Sequence, residues 1–178
     1  MIQTLKRGFT LITPFLIAVG VLVNGAGGWV IAKLDLPLYL DSIGTFFVAA
    51  AAGPVAGALT GLLTNLIIGM FSPGYAPYWP VPLLLGLVAG LCANAGWFKR
   101  LPGALLAGLL CAFVAACAST LVAWSVFGAT ELRAAYFLIE EPVDKVTTAL
   151  IVFMLFRFFP ATITSRLPCP GNVSDPVK

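Results

Sequence analysis

Long uncharged stretches separated by short charged gaps form the main pattern along this chain. No Asp, Glu, Lys or Arg occurs in residues 11–32, 42–72, 80–98, 103–127 and 146–156. An apolar helix needs about 20 residues to cross the ~30 Å hydrocarbon layer of a bilayer, and several of these stretches reach that length. The pattern predicts an all-α protein, an integral membrane bundle of transmembrane helices.

The stretch 42–72 could form one tilted helix or two helices. Gly53-Pro54 lies near its centre, and proline disfavours helical geometry at the residue before it. A break there leaves 42–52 too short to cross a bilayer at 1.5 Å per residue, so its neighbours would have to shelter it. We predict six spans, at about 11–32, 42–52, 55–72, 80–98, 103–125 and 142–158.

The signs of the charges in the gaps favour this break. With it, one side of the membrane holds most basic residues, namely Lys6, Arg7, Lys99, Arg100, Arg157, Arg166 and Lys178. The other side holds most acids, namely Asp35, Asp41, Glu131, Glu140, Glu141 and Asp144. Because cytoplasmic loops are rich in Lys and Arg, we expect both termini in the cytoplasm. The chain is then a single membrane domain, 1–178, with a cytoplasmic tail at 160–178.

Composition agrees with this class. Hydrophobic residues make up 60% of the chain and charged residues 10%, with a mean hydropathy of +1.02. Soluble proteins average about 25% charged residues. The net charge is only +3, and no basic run exceeds two residues, so nothing indicates a nucleic-acid partner.

Motifs for catalysis are missing from the sequence. It has no histidine, no C-x-x-C, no G-x-S-x-G and no P-loop lysine motif. We therefore expect no enzyme activity, no metal site and no cofactor. The four cysteines, Cys92, Cys111, Cys117 and Cys169, are interpreted as small packing residues. Any active transport would draw its energy from a partner or an ion gradient.

Small residues recur every four positions in three rows. The rows are Gly53, Gly57 and Gly61; Gly86 and Gly90; and Ala104, Gly108, Ala112 and Ala116. Such rows let helix backbones approach closely in lipid, which predicts a compact bundle. Spacing alone leaves open whether a row faces a helix of this chain or a partner subunit.

Polar and aromatic residues on the acidic side are the candidate site. Tyr75, Tyr78 and Trp79 lie in a proline-rich loop that either anchors the interface or covers a flat or cationic ligand. Glu140 and Glu141 precede Pro142, where acids and proline suit a helix start.

Asp144 and Lys145 could hold a polar ligand or tie helices together. Asn65 is the preferred asparagine, although asparagines at membrane depth more often bond another helix. Asp41 alternatively caps the second helix. The predicted substrate-binding residues are Asp41, Asn65, Tyr75, Tyr78, Trp79, Asp144, Lys145 and Thr148.

Three segments together resemble a known family. They are Leu40-Asp41-Ser42-Ile43-Gly44-Thr45; Gly53-Pro54 with Gly57-Ala58, Gly61 and Asn65; and Glu141-Pro142-Val143-Asp144-Lys145. Over about 10–160 the chain resembles the substrate-binding S subunits of energy-coupling factor (ECF) transporters.

The resemblance implies a multi-pass protein of a prokaryotic plasma membrane that captures a vitamin or related micronutrient from outside. It also implies docking on a transmembrane coupling subunit driven by two cytoplasmic ATPases. The family's site lies under loops that correspond to 33–41 and 73–79 here. Many members dock through an Ala-xxx-Ala pair in the first helix; that pair is absent, and Gly20 and Asn24 are its nearest substitute.

Two other functions stay open at this point. The first is a membrane-embedded sensor or assembly domain of a signalling system. The second is a secondary transporter, which is less favoured because the sequence has neither an internal repeat nor an acid at mid-membrane.

Overall fold

Helices form nearly all of the described chain. The computed structural model describes residues 10–34, 39–128 and 131–173, and no strand occurs among them. The main helices are α1 (Thr13–Leu34), α2 (Ile43–Ala52), α3 (Pro54–Phe71), α4 (Pro80–Asn94), α5 (Leu101–Phe127) and α6 (Glu131–Phe158). Short elements follow or join them: 3-10 turns at Pro73–Tyr78, Trp97–Lys99 and Pro170–Asn172, and α7 (Ala161–Thr164). The all-α prediction is confirmed.

Three of these helices are long and apolar enough to cross a membrane. They are α1 over Thr13–Ile31, α3 and α5, while α2 and α4 are apolar but shorter. This composition is compatible with a membrane-embedded protein. Lys6, Arg7, Asp35 and Lys178, which entered the charge argument, lie outside the described residues.

The predicted break between α2 and α3 is confirmed. Gly53 has φ of +91°, a backbone conformation that glycine adopts without a steric penalty. Pro54 is the first residue of α3, where its missing N–H costs nothing because first-turn amides have no partner within the helix. The two residues therefore end one helix and start the next without a connecting loop.

Small residues bring neighbouring antiparallel helices into backbone contact. A methyl group placed on Gly86 of α4 would collide with the Gly57 carbonyl of α3. One on Gly61 would collide with the Pro82 carbonyl, and one on Gly108 of α5 would meet the Val146 Cα of α6 at 2.8 Å. The glycine rows at 57–61 and 86–90, and Gly108 in the third row, thus pack against helices of this same chain.

Helix α2 is enclosed by its neighbours, as its length required. Eight of its ten residues are buried, and a methyl group on Gly44 would collide with the Gly20 backbone of α1. At its C-terminal end, the Cys169 N–H donates to the Ala51 carbonyl at 2.9 Å, and the Asn172 side chain donates to the Ala50 carbonyl at 3.3 Å. The chain after α6 therefore folds back under α2.

The predicted start of the last helix is wrong. Helix α6 begins at Glu131, so Pro142 and the acids before it lie inside the helix and not at its N-terminus. The segment 131–141 is rich in Glu, Leu and Ala, which favour helix. That preference outweighs the single hydrogen bond that Pro142 removes. The gap of 126–141 between the last two predicted spans is correspondingly reduced to the few residues between α5 and α6.

The predicted span 80–98 is also too long. Helix α4 ends at Asn94, and Gly96 with φ of +78° turns the chain into the 3-10 turn Trp97–Lys99. A left-handed glycine just past a helix is a common terminator.

Replacement of Gly44 by alanine should destabilise the protein. The new methyl group has no space against the Gly20 backbone, so α1 and α2 must separate at a cost of about 1–3 kcal/mol. Gly25→Ala is the matched control, because nothing lies within 4 Å of a methyl group there. It should be neutral or stabilising by up to ~1 kcal/mol. Unfolding of the purified variants in detergent measures both; equal stability of Gly44→Ala and wild type would contradict this packing.

Candidate functional site

A cavity of about 300 Å³ lies at the end of the bundle where α3 stops and α2 and α4 begin. Its walls combine tyrosines, buried charges and apolar side chains. They are Tyr39, Asp41, Ser42, Thr64, Asn65, Ile68, Gly74, Tyr75, Tyr78, Val81, Pro82, Leu85, Ser119, Phe137, Glu141 and Lys145. Residues from four of the main helices, the 3-10 turn and the segment before α2 thus converge on one space.

Five of the predicted site residues line this cavity. They are Asp41, Asn65, Tyr75, Tyr78 and Lys145.

The other three predicted residues lie elsewhere. Trp79 is 46% exposed and precedes α4, whereas Asp144 and Thr148 are fully buried behind the cavity wall. The structure therefore brings together most of the predicted set, and it gives Asp144 a different position from the one expected.

Asp144 connects α6 to the chain segment that enters α2. Its Oδ1 accepts hydrogen bonds from the backbone N–H groups of Tyr39, at 3.0 Å, and Leu40, at 2.8 Å. Leu40 has φ of +44°, a conformation that is unfavourable for a residue with a side chain. Asp144 therefore holds a strained segment at the edge of the cavity.

Lys145 is a buried cation among acids. Its ammonium group donates to Asp144 Oδ2 and lies 3.4 Å from Glu141 Oε2. Glu141 Oε1 accepts a hydrogen bond from Ser119 at 3.3 Å. Asp41 lines the same cavity, and burial raises the pKa of its carboxyl above the usual value, although Lys145 opposes the shift. Three acids thus face one base.

Aromatic side chains form the remaining wall. Tyr78 stacks on Phe127 with ring centroids 5.9 Å apart and planes inclined by 17°, which fixes its ring. The Tyr39 hydroxyl donates to Glu140 Oε2 at 2.9 Å. The 3-10 turn that carries Tyr75 packs on the end of α3, where a methyl group on Gly69 would meet the Ala76 Cα at 3.0 Å. Tyr78 is therefore held by stacking and Tyr39 by a hydrogen bond, whereas for Tyr75 it is the backbone of its turn that is packed.

Sequence reasoning did not select several of the lining residues. The polar ones with buried side chains are Ser42, Thr64, Ser119 and Glu141. Thr64 and Ser119 carry the signal used for Asn65, a polar side chain in an apolar helix, but threonine and serine are common there. Glu141 was interpreted as a residue at a helix start, and the continuation of α6 through Pro142 changes its position.

Gly20 and Asn24 lie at an internal helix contact and not on an exposed face. Asn24 Oδ1 accepts hydrogen bonds from the N–H groups of Gly44, at 2.7 Å, and Thr45, at 3.3 Å. Its Nδ2 donates to Thr45 Oγ1 at 2.8 Å and to Thr64 Oγ1 at 3.0 Å. In this structure the expected docking pair is fully used within the chain, so a partner would have to contact another face of α1.

No family model, curated protein or solved structure matches this chain.

The Asp144–Lys145 pair should behave as one unit in unfolding experiments. Asp144→Asn or Lys145→Met alone leaves a buried charge without its main partner, which costs about 3 kcal/mol. The double variant should cost clearly less than the sum, with a coupling of about 1–3 kcal/mol. Arg157→Met, an exposed base on the same helix, is the control and should change stability little. Additive costs would show that the two charges do not stabilise each other.

Proposed function

We propose that this chain is the substrate-capturing membrane subunit of an ECF-type importer for a vitamin or related micronutrient. The cavity carries this proposal: about 300 Å³ of space, lined by tyrosines and buried charges, opens at one end of an apolar helical bundle. Ligand pockets combine mainly apolar walls with a few polar groups, and this volume suits a small solute. The resemblance of the sequence to S subunits supports the same assignment.

The proposed importer needs partners for energy. The sequence has no P-loop, so a transmembrane coupling subunit and two cytoplasmic ATPases would supply the driving force. Gly20 and Asn24 are buried in the contact between α1 and α2, so docking would use other residues. The outward face of α1, with Phe15, Leu22 and Trp29, is exposed and apolar.

We further propose that the bundle spans the membrane six times, with the cavity facing outward and both termini in the cytoplasm. The distribution of Lys and Arg supports this orientation. Helix α6, with 28 residues, is about 42 Å long at 1.5 Å per residue and would extend beyond the hydrocarbon on its acidic side. The shorter α2 would reach only part of the way across.

Labelling of single cysteines tests the orientation. In a variant without the native cysteines, Ser72→Cys lies at the cavity end and Arg100→Cys near the opposite end; both positions are exposed. A membrane-impermeant maleimide added to intact cells should label position 72 and leave position 100 unlabelled until the cells are lysed. Labelling of position 100 in intact cells would contradict the proposed orientation.

Thermal unfolding of the purified chain with B vitamins and their precursors tests ligand capture. A solute that binds only the folded state raises the free energy of unfolding by about 2.7 kcal/mol at 100 times its Kd. The midpoint temperature of unfolding rises as a result. Tyr78→Ala should weaken this response, because it removes a fixed ring from the cavity wall.

Phe113→Ala is the matched control for that variant, since Phe113 is an exposed ring on α5 that does not line the cavity. It should keep the ligand response. If no micronutrient stabilises the protein and a signalling protein co-purifies with the chain, these results contradict the importer proposal. They would favour the sensor hypothesis.

A further inference from the structure

We propose that the cavity selects a small planar cation with at least two N–H donors, such as an amidinium or a protonated aminoheterocycle. This inference rests on the proposed function, because it names the chemical class of the captured solute. It is carried by polar atoms around the cavity that have no hydrogen-bond partner in the part of the chain that the structure describes.

Three such atoms belong to lining residues: Ser42 Oγ, Asn65 Oδ1 and Glu141 Oε2. Their residues are only 3%, 8% and 5% exposed, respectively. A buried polar atom left without a hydrogen bond costs about 1–3 kcal/mol, so such atoms are rare unless something else satisfies them. The Asn65 amide oxygen and, in its ionised form, the Glu141 carboxylate only accept hydrogen bonds, so a ligand that satisfies them must donate.

Lys145 does not remove the need for a donor at Glu141. Its ammonium group donates to Asp144, and its 3.4 Å approach to Glu141 Oε2 is an ion pair without a hydrogen bond. Asp144 is itself held by the backbone of Tyr39 and Leu40, so the lysine stays beside it. Glu141 lines the cavity, and its Oε2 accepts no hydrogen bond from the described residues.

The charges around the cavity favour a cation. Among the described residues at the cavity, the carboxyl groups of Asp41, Glu141 and Asp144 outnumber the one ammonium group of Lys145, and a positive ligand would favour their ionised forms. Because the cavity walls are largely buried side chains, a positive ligand gains more from these acids than it would in solvent.

The shape of the ligand follows from the aromatic wall. Tyr78 is fixed by its stacking on Phe127, and Tyr39, Tyr75 and Phe137 line the same space. Aromatic faces attract planar rings and cations at short range. A flat cation can contact these rings with its faces and direct its N–H groups at Asn65 and Glu141.

Three probe molecules that share an aromatic ring test separately whether binding needs N–H donors and a positive charge. Benzamidine carries a ring, a positive charge and several N–H donors; benzyltrimethylammonium keeps the ring and charge without donors; benzoate has the opposite charge. At millimolar concentration, benzamidine should raise the unfolding midpoint of the purified protein, and the other two should not. Absence of stabilisation by benzamidine, or equal stabilisation by benzyltrimethylammonium or benzoate, would overturn the inference.

Two variants test whether benzamidine binds in this cavity. Glu141→Gln and Asn65→Ala should each weaken benzamidine binding, measured by calorimetry, about tenfold or more, as the loss of a hydrogen bond to a charged ligand predicts. Asn94→Ala is the matched control, because Asn94 lies at the far end of α4, where it bonds Asn172 at 2.9 Å. It should bind benzamidine as wild type does. Wild-type affinity in both cavity variants would also overturn the inference.

Failure of this inference is distinguishable from failure of the proposed function. A micronutrient that stabilises the protein but is an anion, or lacks N–H donors, would leave the importer proposal standing and reject the ligand class. Stabilisation by benzamidine without any response to micronutrients would support the ligand class and count against vitamin uptake.

Discussion

The backbone groups at the two ends of α2 must find partners inside an apolar bundle, and the rest of the structure depends on how they do. Helix ends leave amide and carbonyl groups without intrahelical bonds. Ser42 precedes α2 but forms no side-chain cap; Asn24 of α1 instead accepts from Gly44 and Thr45. The folded-back chain at Cys169 donates at the other end. These hydrogen bonds fix the position of α2 along the bundle axis, and with it the positions of Asp41 and Ser42 at the cavity.

Much of the fold was predictable because it follows from local chemistry. The Gly53-Pro54 break and the close packing at Gly57 and Gly86 rest on backbone geometry that the residue types dictate. The start of α6 was not predictable from Pro142, since a favourable position for proline does not require a helix to begin there. The sequence could not show whether each glycine row packs on a partner or on a helix of the same chain, because that depends on how the helices are arranged in space.

The candidate site was predictable in its location more than in its internal arrangement. Asn65 and Lys145 were selected because polar groups in helical spans need partners, and Asp41 because it lies on the acidic side; the three do converge. The sequence could not assign Asp144 to the backbone of Tyr39 and Leu40, since that contact joins segments more than a hundred residues apart. It likewise could not separate Asn24, which caps a helix, from Asn65, whose carbonyl oxygen is unpartnered.

The position of Asp144 has a thermodynamic consequence. One carboxylate serves two tasks: Oδ1 restrains the Tyr39–Leu40 backbone, and Oδ2 receives the Lys145 ammonium. Any molecule that shifts Lys145 changes the charge balance at Asp144 and thereby its hold on Leu40, whose φ of +44° needs that restraint. Linkage requires the reverse as well, so a release of this segment alters the affinity of the cavity. Ligand binding in the cavity and the restraint of the Tyr39–Leu40 backbone would then be thermodynamically coupled.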